Sequence, residues 1–165
     1  SYFEGRFADN EFVPAFVTEN KVKVTVPAVD TMPDWIYTDK FWEQYKHRCI
    51  ACGRCNTTCV TCSCYTAVDV LYDDNVNVGE RRRVWASCHI DGFSDMAGGH
   101  SFRKDNGSRM RFKVFHKIYD FNKRFGMHMC VGCARCDDNC PEYISYSNCI
   151  NMLHERLAKG EKSDV

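Results

Sequence analysis

Two stretches, CIACGRCNTTC at Cys49 to Cys59 and CVGCARCDDNC at Cys130 to Cys140, decide how this chain is read. Both place their cysteines as CxxCxxCxxxC, and both carry an arginine before the third cysteine, Arg54 and Arg135. Thiols at CxxCxxC crowd into about two helical turns, which suits convergence on one metal centre and suits separate long-range disulfides poorly. Three thiolates from one tight loop can cap one face of an iron–sulfur cube, while the fourth cysteine, displaced onto the following helix, points away. In two-cluster ferredoxins that fourth cysteine ligates the other cluster. The spacing therefore assigns Cys49, Cys52, Cys55 and Cys140 to one [4Fe-4S] cluster, and Cys130, Cys133, Cys136 and Cys59 to a second.

Competing readings of the cysteines are weaker. A structural zinc site needs only two CxxC pairs, and each motif here carries two cysteines beyond one such pair. A disulfide scaffold belongs to exported chains, and the sequence shows neither a signal peptide nor an apolar run near 18 residues. The expected compartment is the cytoplasm, with no membrane insertion. Formal net charge is zero, so no overall basic excess points to nucleic acid. No GxGxxG follows a strand and no GxxxxGK[ST] is present, so the chain is expected to have no catalytic site of its own and to leave nicotinamide and flavin to other subunits. It begins at Ser1 without a methionine, which suggests a piece of a longer polypeptide.

Working outward, 165 residues suit one domain with an extension. Residues 1–39 read as an irregular or β extension, or as the tail of a preceding domain, with Val22, Val24 and Val26 alternating like a short strand among Pro14, Pro27 and Pro33. From Lys40 onward the pattern predicts a short helix KFWEQYKHR, a helix TAVDVLY after the first motif, and a loop-rich stretch over 73–108. A long helix RMRFKVFHKIYDFNKRFG ends at Gly126, and a last helix covers NCINMLHERLAKG. Along the long helix Phe112, Phe115, Ile118 and Tyr119 recur at helical spacing as core residues, which leaves its basic residues to the other face. With Arg81, Arg82 and Arg83, these form a candidate basic face for an acidic redox partner.

Four cysteines lie outside the eight. Cys62, Cys64 and Cys88 admit a third metal site with His89 or His100 as a fourth ligand, or serve as small buried hydrophobes around the clusters, the reading the sequence favours. Cys149 reads as packing.

In order, CIACGRCNTTCVTCSCYT, RRRVWASC, DMAGGHSFR and MCVGCARCDDNCP resemble the C-terminal ferredoxin-like part of the iron–sulfur subunit of anaerobic sulfite reductases. Related segments occur in beta subunits of soluble NAD(P)-linked hydrogenases. The likeness covers about residues 40–150, and departs at Val60, where proline commonly follows the fourth cysteine, and at Ala134, where glycine is common. It implies a mainly α fold, an α-helical ferredoxin with two [4Fe-4S] cluster loops, spanning a dicluster domain at 40–160. It also implies a role: relaying electrons from an NAD(P)H-oxidising flavin subunit to a sirohaem subunit that reduces sulfite to sulfide, within a hetero-oligomer. The alternatives are the equivalent electron-transfer beta subunit of a soluble NiFe hydrogenase or sulfhydrogenase, and a structural iron–sulfur docking module.

Overall fold

Phe41, Trp42 and Tyr45 supply the apolar start of the core in the computed structural model, which describes residues 4–5, 13–16, 18–19, 22–28, 30 and 32–160. The rest of the expected extension lies outside the described residues. Asp39 accepts the Phe41 amide at 2.6 Å and starts a 3-10 turn, Lys40–Trp42, that continues into α1, Glu43–Arg48. The Trp42 ring meets Phe115 edge-on at 5.5 Å, which fixes α1 against α3, Asn106–Phe115. Gly107 is required at that crossing, because a Cβ there would stand 2.5 Å from the Trp42 carbonyl oxygen.

Helix α3 begins where Asp105 accepts the Ser108 amide at 2.9 Å, an N-cap that satisfies one orphan donor. It runs through a π-helical turn, His116–Asp120, into α4, Phe121–Phe125, and stops at Gly126 with φ 70°. The second motif contributes the short helix α5, Arg135–Asp138, and the chain closes with α6, Tyr146–Lys159. Cys149, Ile150 and Leu153 of α6 are fully buried against Val114 and Ile118, so Cys149 is a core residue.

Val24 and Val26 are half-buried on this core, yet no strand forms there. Instead the Asn151 side chain accepts the Thr25 amide at 2.8 Å and donates to the Lys23 carbonyl at 3.1 Å. One carboxamide thus replaces the neighbouring strand that an extended backbone needs. Ile36, on a 3-10 turn at Asp34–Tyr37, is completely enclosed by the same core.

The expected mainly α fold is corrected by the segment between the motifs. TAVDVLY is no helix: Tyr65–Tyr72 forms β1, paired antiparallel with β2, Asn75–Trp85, through a two-residue turn at Asp73 and Asp74. The expected loop after residue 73 is therefore strand for eleven residues. The cause is local. Thr66, Val68 and Val70 are β-branched at a period of two, and such side chains fit a pleated ribbon better than a helix. Tyr65 pairs with Trp85 and Leu71 with Gly79, after which the register shifts. The domain is thus a helical core with a two-stranded antiparallel ribbon standing off it.

Candidate metal centre

The sequence repeat is also a backbone repeat. Ala51 and Gly53 in the first loop have φ of 55° and 74°, and the matching Gly132 and Ala134 have 69° and 58°. Each loop therefore turns twice through the left-handed region, with alanine and glycine exchanged between copies. After each loop comes one helical turn, α2 at Arg54–Thr57 or α5, and the hydrogen bonds coincide. Asn56 donates to the Gly53 carbonyl at 2.9 Å as Asp137 does to Ala134 at 2.9 Å, and Cys59 donates to Asn56 as Cys140 does to Asp137. This turn carries the fourth cysteine away from its own loop. Gly53 is confined as well as left-handed, since a Cβ would meet Ser87 at 3.0 Å and Ile90 at 3.1 Å.

Two cavities result. Cys49, Cys52, Cys55 and Cys140 border the first, together with His89, Met110, Lys113 and Tyr146. Cys130, Cys133, Cys136 and Cys59 border the second, with Thr61, Lys113, Lys117 and Tyr146. Cys55 and Cys136 reach the margin of both. The structure brings together the two sets of four that the spacing assigned. All twelve cysteines are free thiols.

Among the described residues, no three histidine, cysteine, aspartate or glutamate donors converge closely enough for a single metal ion. Zn–S bonds of about 2.3 Å would need thiolates about 3.8 Å apart. A cubane carries one thiolate on each iron at separate corners, so it accepts a wider ring of sulfurs. Four thiols around each cavity fit that donor chemistry.

The electrostatics favour anionic sulfur at Cys59, whereas burial raises Cys49, Cys130 and Cys136. Lys117 donates to the Cys59 sulfur at 3.1 Å and to the Thr61 hydroxyl at 3.1 Å. A hydrogen bond from Cys62, with those from Thr61 and Lys117, holds the Cys59 thiol down to about 3 despite its burial. Burial pushes the Cys136 thiol up to about 12. Lys113 is 2% exposed and its Nζ has no hydrogen-bond partner, although it lies 4.7 Å over the Tyr146 ring. Desolvation opposes its charge, but the thiols of Cys55, Cys136 and Cys62 outweigh it and keep the ammonium protonated. An unpaired buried ammonium is costly. This one borders both cavities, where an anionic cluster would offset it.

Three of the basic residues expected on the outer face of the long helix lie elsewhere, while Lys123 and Arg124 stay exposed. Arg109, Lys113 and Lys117 are buried, Arg81 pairs with Asp69 at 2.6 Å, and Arg82 pairs with Glu80. Arg54 and Arg135 are exposed beside their loops. His100 is exposed on a small turn, where the Met96 amide donates to its carbonyl at 2.9 Å and a Cβ added at Gly98 or Gly99 would meet no atom within 4 Å. His89, a candidate ligand for the extra site, instead sits at the first cavity, with Nδ1 3.8 Å from the Cys49 sulfur and Nε2 unpartnered. Burial lowers it to about 3, so it stays neutral.

Cys62, Cys64 and Cys88 meet at a third cavity, with Asn56, His116, Lys113 and Lys117. Sequence reasoning missed His116, Asn56, Lys113 and Lys117. The signal for the lysines was available, since positions 113 and 117 fall in the apolar stripe with Met110, Val114 and Ile118.

Residues 48–144 match the family described as a 4Fe-4S dicluster domain. The curated protein Sulfhydrogenase 2 subunit beta of Pyrococcus furiosus is 35% identical over 124 residues, covering 75% of this chain and 36% of that relative. The chain thus spans about a third of its length. No solved structure matches. Among the described residues, no helix is long and apolar enough to cross a membrane.

Proposed function

Because the chain belongs to the 4Fe-4S dicluster domain family, we propose that it carries single electrons between two [4Fe-4S] clusters as one component of a hydrogenase-type complex. One cluster is held by Cys49, Cys52, Cys55 and Cys140, the other by Cys130, Cys133, Cys136 and Cys59. The observation that carries the reading is the exchange of fourth cysteines, each of which borders the cavity of the opposite loop. When bound, such clusters supply one-electron redox chemistry at potentials set by hydrogen bonds to sulfur, charge and exposure. The chain's own part is to fix the loops with left-handed turns, to set the Lys113 and Lys117 ammonium groups against the sulfurs, and to keep the two cavities adjacent.

Similarity to a sulfhydrogenase subunit favours the hydrogenase-type assembly over the sulfite reductase expected from motif order. The proposed partners are a flavin subunit that oxidises NAD(P)H and a hydrogenase catalytic subunit. That relative lends no support to a sirohaem partner. The dicluster unit is proposed at 40–160 with residues 1–39 as its extension, and reduced thiols suit a cytoplasmic location.

The test is a redox titration of the anaerobically purified full-length polypeptide, followed by visible absorption and electron paramagnetic resonance. Dithionite should bleach the chromophore and produce cluster signals; a chromophore that neither bleaches nor yields a signal would leave only a structural docking module. Identifying the subunits that co-purify separates the assemblies, because a sirohaem subunit in place of a hydrogenase subunit overturns the hydrogenase reading.

A further inference from the structure

Cys62 and Cys64 precede the β1–β2 ribbon and Cys88 follows it, so the ribbon works as a clip. Its base closes where the Ala86 amide donates to the Cys64 carbonyl at 3.1 Å, and this brings sulfurs 24 residues apart in sequence to one cavity (88 − 64 = 24). Cys62 and Cys64 are only partly buried, unlike Cys149 with no exposure in the core, so they do not behave as core fillers.

Asn56 gives an independent pointer. Its side chain is fully buried, and its Nδ2 donates to the Cys88 sulfur at 3.0 Å and to the Cys64 sulfur at 3.6 Å. In the repeat its counterpart is Asp137, which instead caps α6 by accepting the Tyr146 amide at 2.7 Å. The first copy has thus turned this position towards two sulfurs. His116 borders the same cavity. The unpartnered Lys113 ammonium borders it as well, as it does the other two. Here too, among the described residues, no three donors converge on a point.

We propose that Cys62, Cys64, Cys88 and His116 hold a third iron–sulfur cluster, beyond the two that a dicluster domain provides. Mixed cysteine and histidine ligation is established for such groups, with histidine replacing cysteine on an iron. The site lies against Lys117, whose ammonium also touches Cys59 of the second cavity, so the third cluster sits next in line to the second.

The experiment is iron and acid-labile sulfide analysis of the full-length polypeptide, reconstituted anaerobically with ferrous iron and sulfide, together with zinc analysis and Mössbauer spectroscopy. The expected content is about twelve irons per chain, or about ten if the third cluster is of the [2Fe–2S] type. About eight irons, with or without one zinc, overturns the proposal and leaves the two-cluster reading standing, whereas an absence of iron sinks both. A Cys64→Ala/Cys88→Ala double variant should fall to about eight irons with two cluster spectra unchanged, and retention of the wild-type count refutes the site. His116→Ala is the milder variant should the double variant not fold: it should alter only the third cluster's spectrum, and an unchanged spectrum removes His116 from the ligand set as proposed.

Discussion

Replacing Lys117 with glutamine removes a positive charge held 3.1 Å from the Cys59 sulfur while keeping a hydrogen-bond donor and most of the side-chain volume. Desolvation disfavours the ammonium, but the thiols of Cys62 and Cys59 overcome this and raise it above its usual range, so the charge is present at neutral pH. Reduction adds one electron spread over the cluster, at an effective separation of roughly 6 Å from Nζ. With an effective dielectric near 20, the lost attraction is about 2–3 kcal/mol. For a one-electron couple that corresponds to a fall of roughly 100 mV in the potential of the second cluster. The first cavity is not bordered by Lys117, and its cluster should move by less than half as much. Lys117→Arg keeps the charge and should shift the second potential only slightly. Potentiometric titration of both variants, with each cluster resolved by electron paramagnetic resonance, measures these shifts. A second-cluster potential that stays within about 20 mV, or rises, refutes the electrostatic reasoning, and so does an equal fall at both clusters.

Cys140→Ala should damage the cluster of the first motif and spare most of the second, seen as selective loss of one reduced signal; damage confined to the second motif's cluster would mean ligation within each motif. Gly107→Ala forces a Cβ against the Trp42 carbonyl, and overpacking of this kind costs about 1–3 kcal/mol, read as a lowered thermal midpoint. An unchanged midpoint would show that α1 and α3 separate freely. His89 makes stability sensitive to acid. Its folded value of about 3 lies below the unfolded value of 6.5, so between these the unfolded chain takes up a proton that the folded chain refuses. The stability from neutral His89 is fully present above about pH 6.5 and is lost as pH falls, at about 1.4 kcal/mol per unit, or roughly 2 kcal/mol by pH 5. His89→Gln should flatten this slope in denaturation midpoints between pH 7 and pH 5.

What the sequence disclosed was the chemistry set by spacing. CxxCxxCxxxC is a local pattern, so both loops could be anticipated from spacing, and the proposed exchange of fourth cysteines follows the behaviour of two-cluster ferredoxins. The ribbon was legible too and was misread: seven apolar or β-branched residues in a short run admit either period, and the alternation in Val68-Asp69-Val70 continues as Val76-Asn77-Val78 across the Asp73-Asp74 turn. Lys113 and Lys117 were assigned to solvent because a lysine is almost never fully buried. Their place in the apolar stripe was a signal, but the sulfurs that make their burial tolerable, those of Cys55, Cys59, Cys62 and Cys136, lie outside the helix, where its pattern does not reach. Asn56 was hidden for a similar reason, since Asn56-Thr57-Thr58 has the form of a glycosylation signal, while the folded chain encloses Asn56 completely.

The proposed sharing of donors across the chain has a consequence in time. Cys55 and Cys140, which border one cavity, are separated by 85 residues (140 − 55 = 85). A ribosome adding about 5–20 residues each second needs roughly 4–17 s to cover that interval. Throughout it, three thiols of the first loop have left the ribosome ahead of their fourth partner and stand open to oxidants or to the wrong metal. Loading must therefore wait until the second loop has been made, and a short exposure to oxygen during synthesis should do more harm than a longer one afterwards.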